Sequence, residues 1–144
     1  MALMSLRAAS LNPGDVVIVV GALGAIGHLT GMIAKKVMLT KVISVDLRSK
    51  VDQVCPQEVE DCYNLLLGAP ECYEGSAWEK FHAVLLRACA QFRSGYVGGV
   101  RRAAEAVIVT SSSIAAFQRL DEYVCDGSFI VCAGYVFFAI CQQP

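Results

Sequence analysis

Residues 16–20 read Val-Val-Ile-Val-Val, with no polar alternation, and a run of this kind is a parallel strand covered on both faces. Pro13, Gly14 and Asp15 supply a turn before it, and Gly21, Gly24 and Gly27 follow it at even spacing. The hydrophobic period then changes. Met32, Ile33 and Val37 recur at helical spacing over residues 29–37, and Lys35 and Lys36 bring positive charge to the end of that helix, where its dipole favours a cation. Residues 41–46 return to an apolar strand that closes on the carboxylate of Asp46.

Further along, Pro56 is placed to open a helix over residues 57–67, with Val59, Cys62, Tyr63, Leu66 and Leu67 on one face and Gly68 to Pro70 as its stop. On this reading no third strand lies between Asp46 and the loop at residues 71–75. The best-specified helix covers residues 77–92. Ser76 and Glu79 have the spacing of a capping box, and Trp78, Phe81, Leu85, Ala88, Cys89 and Phe92 form an apolar stripe. Trp78 and Phe81 are core at that spacing rather than an adenine-stacking pair. Residues 94–99 are a glycine-rich loop. A buried strand is predicted at residues 106–110, a helix at residues 114–124 with Ile114, Phe117, Leu120 and Val124 inward, a stop at Asp126 and Gly127, and a last strand at residues 129–132. Residues 1–12 make a short helical turn, too little for a domain. The fold class is therefore α/β: a Rossmann-like, mostly parallel sheet with helices on both faces, and incomplete.

In such a sheet, ligands sit beyond the carboxyl ends of the strands. Gly24 would let the backbone approach a pyrophosphate, Gly27 would let the helix pack close to the strand, and the helix N-terminus would offer unpaired N–H groups to the anion. The full G-x-G-x-x-G pattern is not met, because Ala22 stands where its first glycine belongs. Asp46 lies 19 positions after Gly27, the separation at which an acid meets the adenosine ribose hydroxyls. The alternative is a buried βαβ unit without a ligand. Thr110 and Ser111 fall beside the same crevice, where Ser111 to Ser113 serve either as helix caps or as cofactor contacts.

Composition narrows the function classes. The net charge of −1 gives no reason to expect nucleic acid or an acidic membrane surface as partner. Residues 16–34 carry no formal charge and are long enough to span a bilayer, but four glycines and an adjoining strand pattern argue against a membrane helix. Seven cysteines without a C-x-x-C pair point to reduced thiols, most of them core fillers, in an intracellular, cytoplasmic protein. His28 and His82 stand alone and make no metal site.

Residues 13–15, the Gly-Ala-Leu-Gly-Ala-Ile-Gly-His run, the strand ending in Asp46, the Ala-Val-Ile-Val-Thr-Ser-Ser-Ser run and the later Asp-Gly-Ser-Phe-Ile-Val-Cys-Ala-Gly together resemble the coenzyme domain of medium-chain, zinc-type alcohol dehydrogenases, the fungal and yeast kind above all. The resemblance covers roughly residues 6–134 and is atypical between 46 and 103. It implies NAD as cofactor, with Gly24, Ala25, Ile26 and Gly27 along the pyrophosphate, Asp46 at the adenosine ribose, and Thr110 and Ser111 on the nicotinamide rim. It also implies hydride transfer between an alcohol or aldehyde and NAD at a zinc ion held mainly by a separate, preceding domain. No zinc ligand set or other catalytic residue is recognisable in this sequence. The expectation is a chain shortened at both ends, with residues 1–12 a remnant, 13–134 the NAD-binding domain and 135–144 an atypical apolar tail that favours self-association or a homo-oligomer. A noncatalytic nucleotide-binding or interaction module that keeps the fold is the alternative.

Overall fold

The computed structural model describes residues 1–72, 74–92, 103–133 and 139–142. Strands β1 (Val16–Val20), β2 (Lys41–Leu47), β3 (Leu65–Ala69), β4 (Ala104–Val109), β5 (Val124–Cys132) and β6 (Ala139–Gln142) form one sheet in the order β3-β2-β1-β4-β5-β6. The first five run parallel, and β6 pairs antiparallel with β5. This is a Rossmann-like α/β sheet, as the alternation of strand and helix predicted. Because β3 lies beyond β2 while β4 lies on the other side of β1, the chain reverses direction across the sheet between β1 and β4, and that switch point opens a crevice at the carboxyl ends of the strands.

Every residue of β1 is buried, which is why the run could dispense with polar alternation. Val16, Ile18 and Val20 face one core together with Trp78, Phe81, Leu85, Ala88 and Cys89 of α5 (Gly75–Phe92). Val17 and Val19 face a second core with Ala34 and with Leu6 and Ala9 from the region of α1 (Ala2–Ala8). The first core answers the aromatic question: Trp78 is fully buried and packs against Phe81 and Tyr123, so these rings are structural. Ser76 lies inside the first turn of α5 instead of at its cap.

Helix α2 (Ala25–Met32) starts earlier than predicted and continues as a single π turn, Ile33–Val37. Its inward face is Gly27, Thr30, Gly31 and Ala34, while Val37 is exposed. The helix is seated on small residues: a Cβ on Gly31 would collide with the Cys62 carbonyl oxygen. Of the predicted apolar positions Ile33 packs, half-buried, against the second core, but the fully buried positions are the small ones.

Two further predictions are overturned. The expected helix over residues 57–67 is instead α4 (Pro56–Val59), a 3₁₀ turn Glu60–Cys62 and then β3, the third strand that the sequence reading did not see; α3 (Arg48–Val51) precedes it. Leu65 to Leu67 form a short apolar run that periodicity cannot assign, and pairing with the edge of β2 decides it. The helix expected over residues 114–124 is absent. Two 3₁₀ turns, Ile114–Phe117 and Leu120–Glu122, stand in its place, separated by Arg119 at φ 56°. Ile114 is 78% exposed, and Ala116, Leu120 and Tyr123 are buried instead. Residues 126 and 127 lie within β5, where Gly127 takes φ 77° in an irregular stretch, rather than ending a helix. The predicted loop at 94–99 and the tail at 135–138 fall outside the described residues. No helix among the described residues is long and apolar enough to cross a membrane. Cys62, Cys89 and Cys125 are buried, whereas Cys55 and Cys72 are exposed.

Candidate functional site

The turn after β1 is built by backbone. Gly21 takes φ 79°, a region open to glycine, and this turns the chain so that the Gly21 and Ala22 N–H groups both donate to the Val45 carbonyl, at 2.9 and 3.3 Å. Gly24 N–H then donates to the Gly21 carbonyl at 3.2 Å. Gly24 is the N-cap residue of α2, and it has no side chain with which to cap the helix. The first-turn N–H groups of Ala25, Ile26 and Gly27 have no carbonyl partner within the helix, since no residue lies four positions earlier in it. Gly24 and Ala25 are exposed, Ile26 is half-buried and Gly27 is buried.

Gly24 and Gly27 are glycine for different reasons. A Cβ on Gly27 would collide with the Gly21 carbonyl oxygen and come within 2.7 Å of Ala22 Cα and 2.8 Å of Thr110 Oγ1. The fold itself requires that residue to be small. A Cβ on Gly24 would meet only the Gly21 carbonyl oxygen, at 3.5 Å, which is ordinary contact. Its φ of −75° and ψ of 167° suit any residue. Among the described residues nothing in the packing explains the glycine at 24.

Asp46 lies beside this turn, at the end of β2. It is 6% exposed, and it accepts two backbone hydrogen bonds: Leu23 N–H to Oδ2 at 2.9 Å and Leu47 N–H to Oδ1 at 2.8 Å. Lys50 Nζ is 3.8 Å from Oδ1. Arg48, exposed on α3, pairs loosely with Asp52 at 3.5 Å. Asp46 stands near the end of β2, the strand the sequence predicts over residues 41–46, whereas the bond to Leu23 has no signature in the sequence, because any residue with an N–H serves there.

On the other side of the switch point, Thr110 Oγ1 lies 2.9 Å from the Val20 carbonyl and 3.0 Å from that of Gly21, so its one proton holds the end of β4 against the glycine turn. Ser111 Oγ accepts the Ser113 N–H at 3.1 Å, a local turn, and Ser113 makes no side-chain cap to the 3₁₀ turn that follows. Gly21, Asp46, Lys50, Ser111 and Ser113 share the wall of a cavity of about 80 Å³. Small-molecule pockets usually exceed roughly 300 Å³, so this space is too small for a whole nucleotide. The structure thus brings together Gly24, Ala25, Ile26, Gly27 and Asp46 on one side and Thr110 and Ser111 on the other. Among the described residues no three His, Cys, Asp or Glu side chains are grouped to hold a metal ion.

The fold has close counterparts. The chain superposes on a probable oxidoreductase from Mycobacterium abscessus with a TM-score of 0.61 at 18% identity, over 92% of this chain and 34% of that one. CurA from Vibrio vulnificus in complex with NADPH matches with a TM-score of 0.62 at 17% identity, over 90% of this chain and 32% of that one. 2R,3R-butanediol dehydrogenase from Bacillus subtilis matches with a TM-score of 0.60 at 16% identity, over 91% and 31%. No protein-family model matches the sequence, nor does any curated protein. The chain spans about a third of the length of these solved structures, and at such identity the likeness is one of fold. What this chain has in common with them is the Rossmann-like fold.

Proposed function

We propose that this chain is the nicotinamide-dinucleotide-binding part of an oxidoreductase of the medium-chain dehydrogenase/reductase kind. One observation carries the reading: a glycine turn enters α2 at the switch point of a parallel sheet, and its Gly24 is small for no reason of packing. The N–H groups of Ala25, Ile26 and Gly27 would take the pyrophosphate, Asp46 the adenosine ribose, and Thr110 and Ser111 the rim on the nicotinamide side. The bound cofactor would supply hydride transfer; this chain supplies binding and orientation. NAD is the expected cofactor, because the Asp46 carboxylate opposes a 2′-phosphate at the end of β2, although Arg48 and Lys50 add positive charge nearby. The NADPH complex of CurA supports a nicotinamide cofactor, and there it is the phosphorylated one.

An alcohol or aldehyde as substrate rests on the resemblance of residues 13–27, 46 and 106–113 to zinc-type alcohol dehydrogenases, and the likeness to butanediol dehydrogenase is in keeping with it. The described residues offer no fit for zinc, and no step is assigned to it. Self-association belongs to the same proposal: β6 ends the sheet, and an edge strand offers backbone groups to a second copy. A noncatalytic nucleotide-binding module is favoured by a different observation. The hydroxyls of Thr110 and Ser111 are already engaged within the chain, and the crevice is small.

Calorimetric titration of NADH and NADPH into the purified chain tests the reading. Binding of both with NADH the tighter is expected. Tighter NADPH would overturn the role given to Asp46, and binding of neither would overturn the nucleotide reading.

A further inference from the structure

We infer that Asp46 is a positioning residue for the glycine turn, so that the pyrophosphate end of the site depends on it as much as the ribose end does. The inference rests on the dinucleotide reading above and goes beyond the ribose contact given to Asp46 there. Its carboxylate is almost fully enclosed, with 5% of the side chain exposed, and the Oδ2 atom takes the N–H of Leu23 at 2.9 Å. Leu23 immediately precedes Gly24, the N-cap of α2, so this bond fixes the residue from which the helix is launched. Among the described residues the turn is otherwise fastened through Gly21 and Ala22 to the Val45 carbonyl, and by Gly24 N–H and Thr110 Oγ1 to the Gly21 carbonyl. Asp46 is the side chain that ties Leu23, next to the N–H groups of Ala25 to Gly27, to the end of β2. The second oxygen is anchored by Leu47 N–H, which stops the carboxylate from rotating away from Leu23. Each oxygen accepts through more than one lone pair, so holding the turn leaves capacity for a ribose hydroxyl.

The two roles predict opposite signs. Asp46 is a negative charge beside an anion site, and a residue acting on ribose alone would, when replaced by Ala, leave inorganic pyrophosphate bound as well as before or better. A turn-holding Asp46 predicts that Asp46→Ala weakens pyrophosphate despite the lost repulsion. The bond lost is one to a charged acceptor, and a loss in affinity of about tenfold or more is expected. Asp46→Asn separates charge from geometry, since its amide oxygen can still accept from Leu23.

The experiment is an NMR titration of inorganic pyrophosphate, read on the amides of residues 24–27, with a parallel NADH titration, for the wild-type chain and both variants. Hydrogen exchange of the Leu23 amide accompanies it. The expected pattern is weaker pyrophosphate and NADH in Asp46→Ala, pyrophosphate retained in Asp46→Asn, and faster exchange at Leu23 with Ile18 and Ile43 unchanged. Undiminished pyrophosphate binding in Asp46→Ala would overturn the inference, as would unchanged Leu23 exchange or a wild-type chain that binds NADH but gives no pyrophosphate response. A wild-type chain that binds neither ligand sinks the nucleotide reading and the ligand part of this inference, while the exchange data still decide whether Asp46 holds the turn.

Discussion

The crevice is walled by two loops that do the same task with different means. The loop after β1 is made of backbone: Gly21 and Ala22 fasten to Val45, and Gly27 lets α2 lie against the turn. The loop after β4 is made of side chains: Thr110 reaches across to Val20 and Gly21, Ser111 folds on Ser113, and Arg119 closes the following segment. Arg119 lies over the Trp78 ring at 5.0 Å and bonds Glu122 at 2.9 Å, with Glu79 at 3.6 Å. His82 Nε2 is 3.3 Å from Glu122 Oε2 without making a hydrogen bond. A loop of small residues leaves its N–H groups available to an anion. In the loop of side chains, Thr110 is committed to the first loop and Ser111 to Ser113.

That contrast is best broken at Gly27. Gly27→Ala places a methyl against backbone that cannot yield, and a loss of about 3 kcal/mol is expected. The same change at Gly24 is expected to cost less than about 1 kcal/mol, the difference between Gly and Ala at an N-cap. Urea unfolding of the two variants checks the pair, and similar losses would mean that both glycines are structural. In the second loop, Arg119→Ala removes the stacking on Trp78 and two acidic contacts while keeping the left-handed backbone. A lower midpoint of thermal unfolding is expected. Thr110→Val keeps the shape and deletes the hydroxyl, for about 1 kcal/mol. A null effect there would show that the β4 loop is held by Thr110 N–H to Val20 alone.

The smallest effect is electrostatic. Lys36 Nζ, 2.7 Å from Asp61, both bonds the carboxylate and attracts it, which holds Asp61 below the ordinary carboxylate value. With a folded value below the unfolded one, this contribution is present above the unfolded value and fades as acid titrates through the lowered one. Both groups are exposed, so it is small. Comparing acid unfolding of the wild type with Lys36→Ala should show a difference near neutrality that disappears in acid. A constant difference would assign Lys36 a packing role.

The same contrast explains what the sequence disclosed. The β1 turn was legible because glycine spacing records backbone geometry directly, and Asp46 followed from the length of one βαβ unit. β3 was not legible: Leu65 to Leu67 carry no period, and their strand state comes from the edge of β2. Nor was the segment after Ser113. Ile114, Phe117 and Leu120 had the spacing of a helix, but Arg119, turned back onto Trp78 and Glu122, breaks it, and that contact joins distant parts of the chain. The inward face of α2 was misread for the opposite reason, since close packing there selects Gly27 and Gly31 rather than bulk.

Gly27 is small for the fold, and the proposal makes Gly24 small for a ligand. Calorimetric titration of NADH into the wild-type chain and into Gly24→Val, with the melting temperature of each recorded, tests it directly. Expected are binding by the wild type, a melting temperature of the variant within a few degrees, and an affinity at least about tenfold weaker, since a side chain at 24 keeps the pyrophosphate from the α2 N–H groups. Equal affinity in the two proteins, or no binding by the wild type, would contradict it.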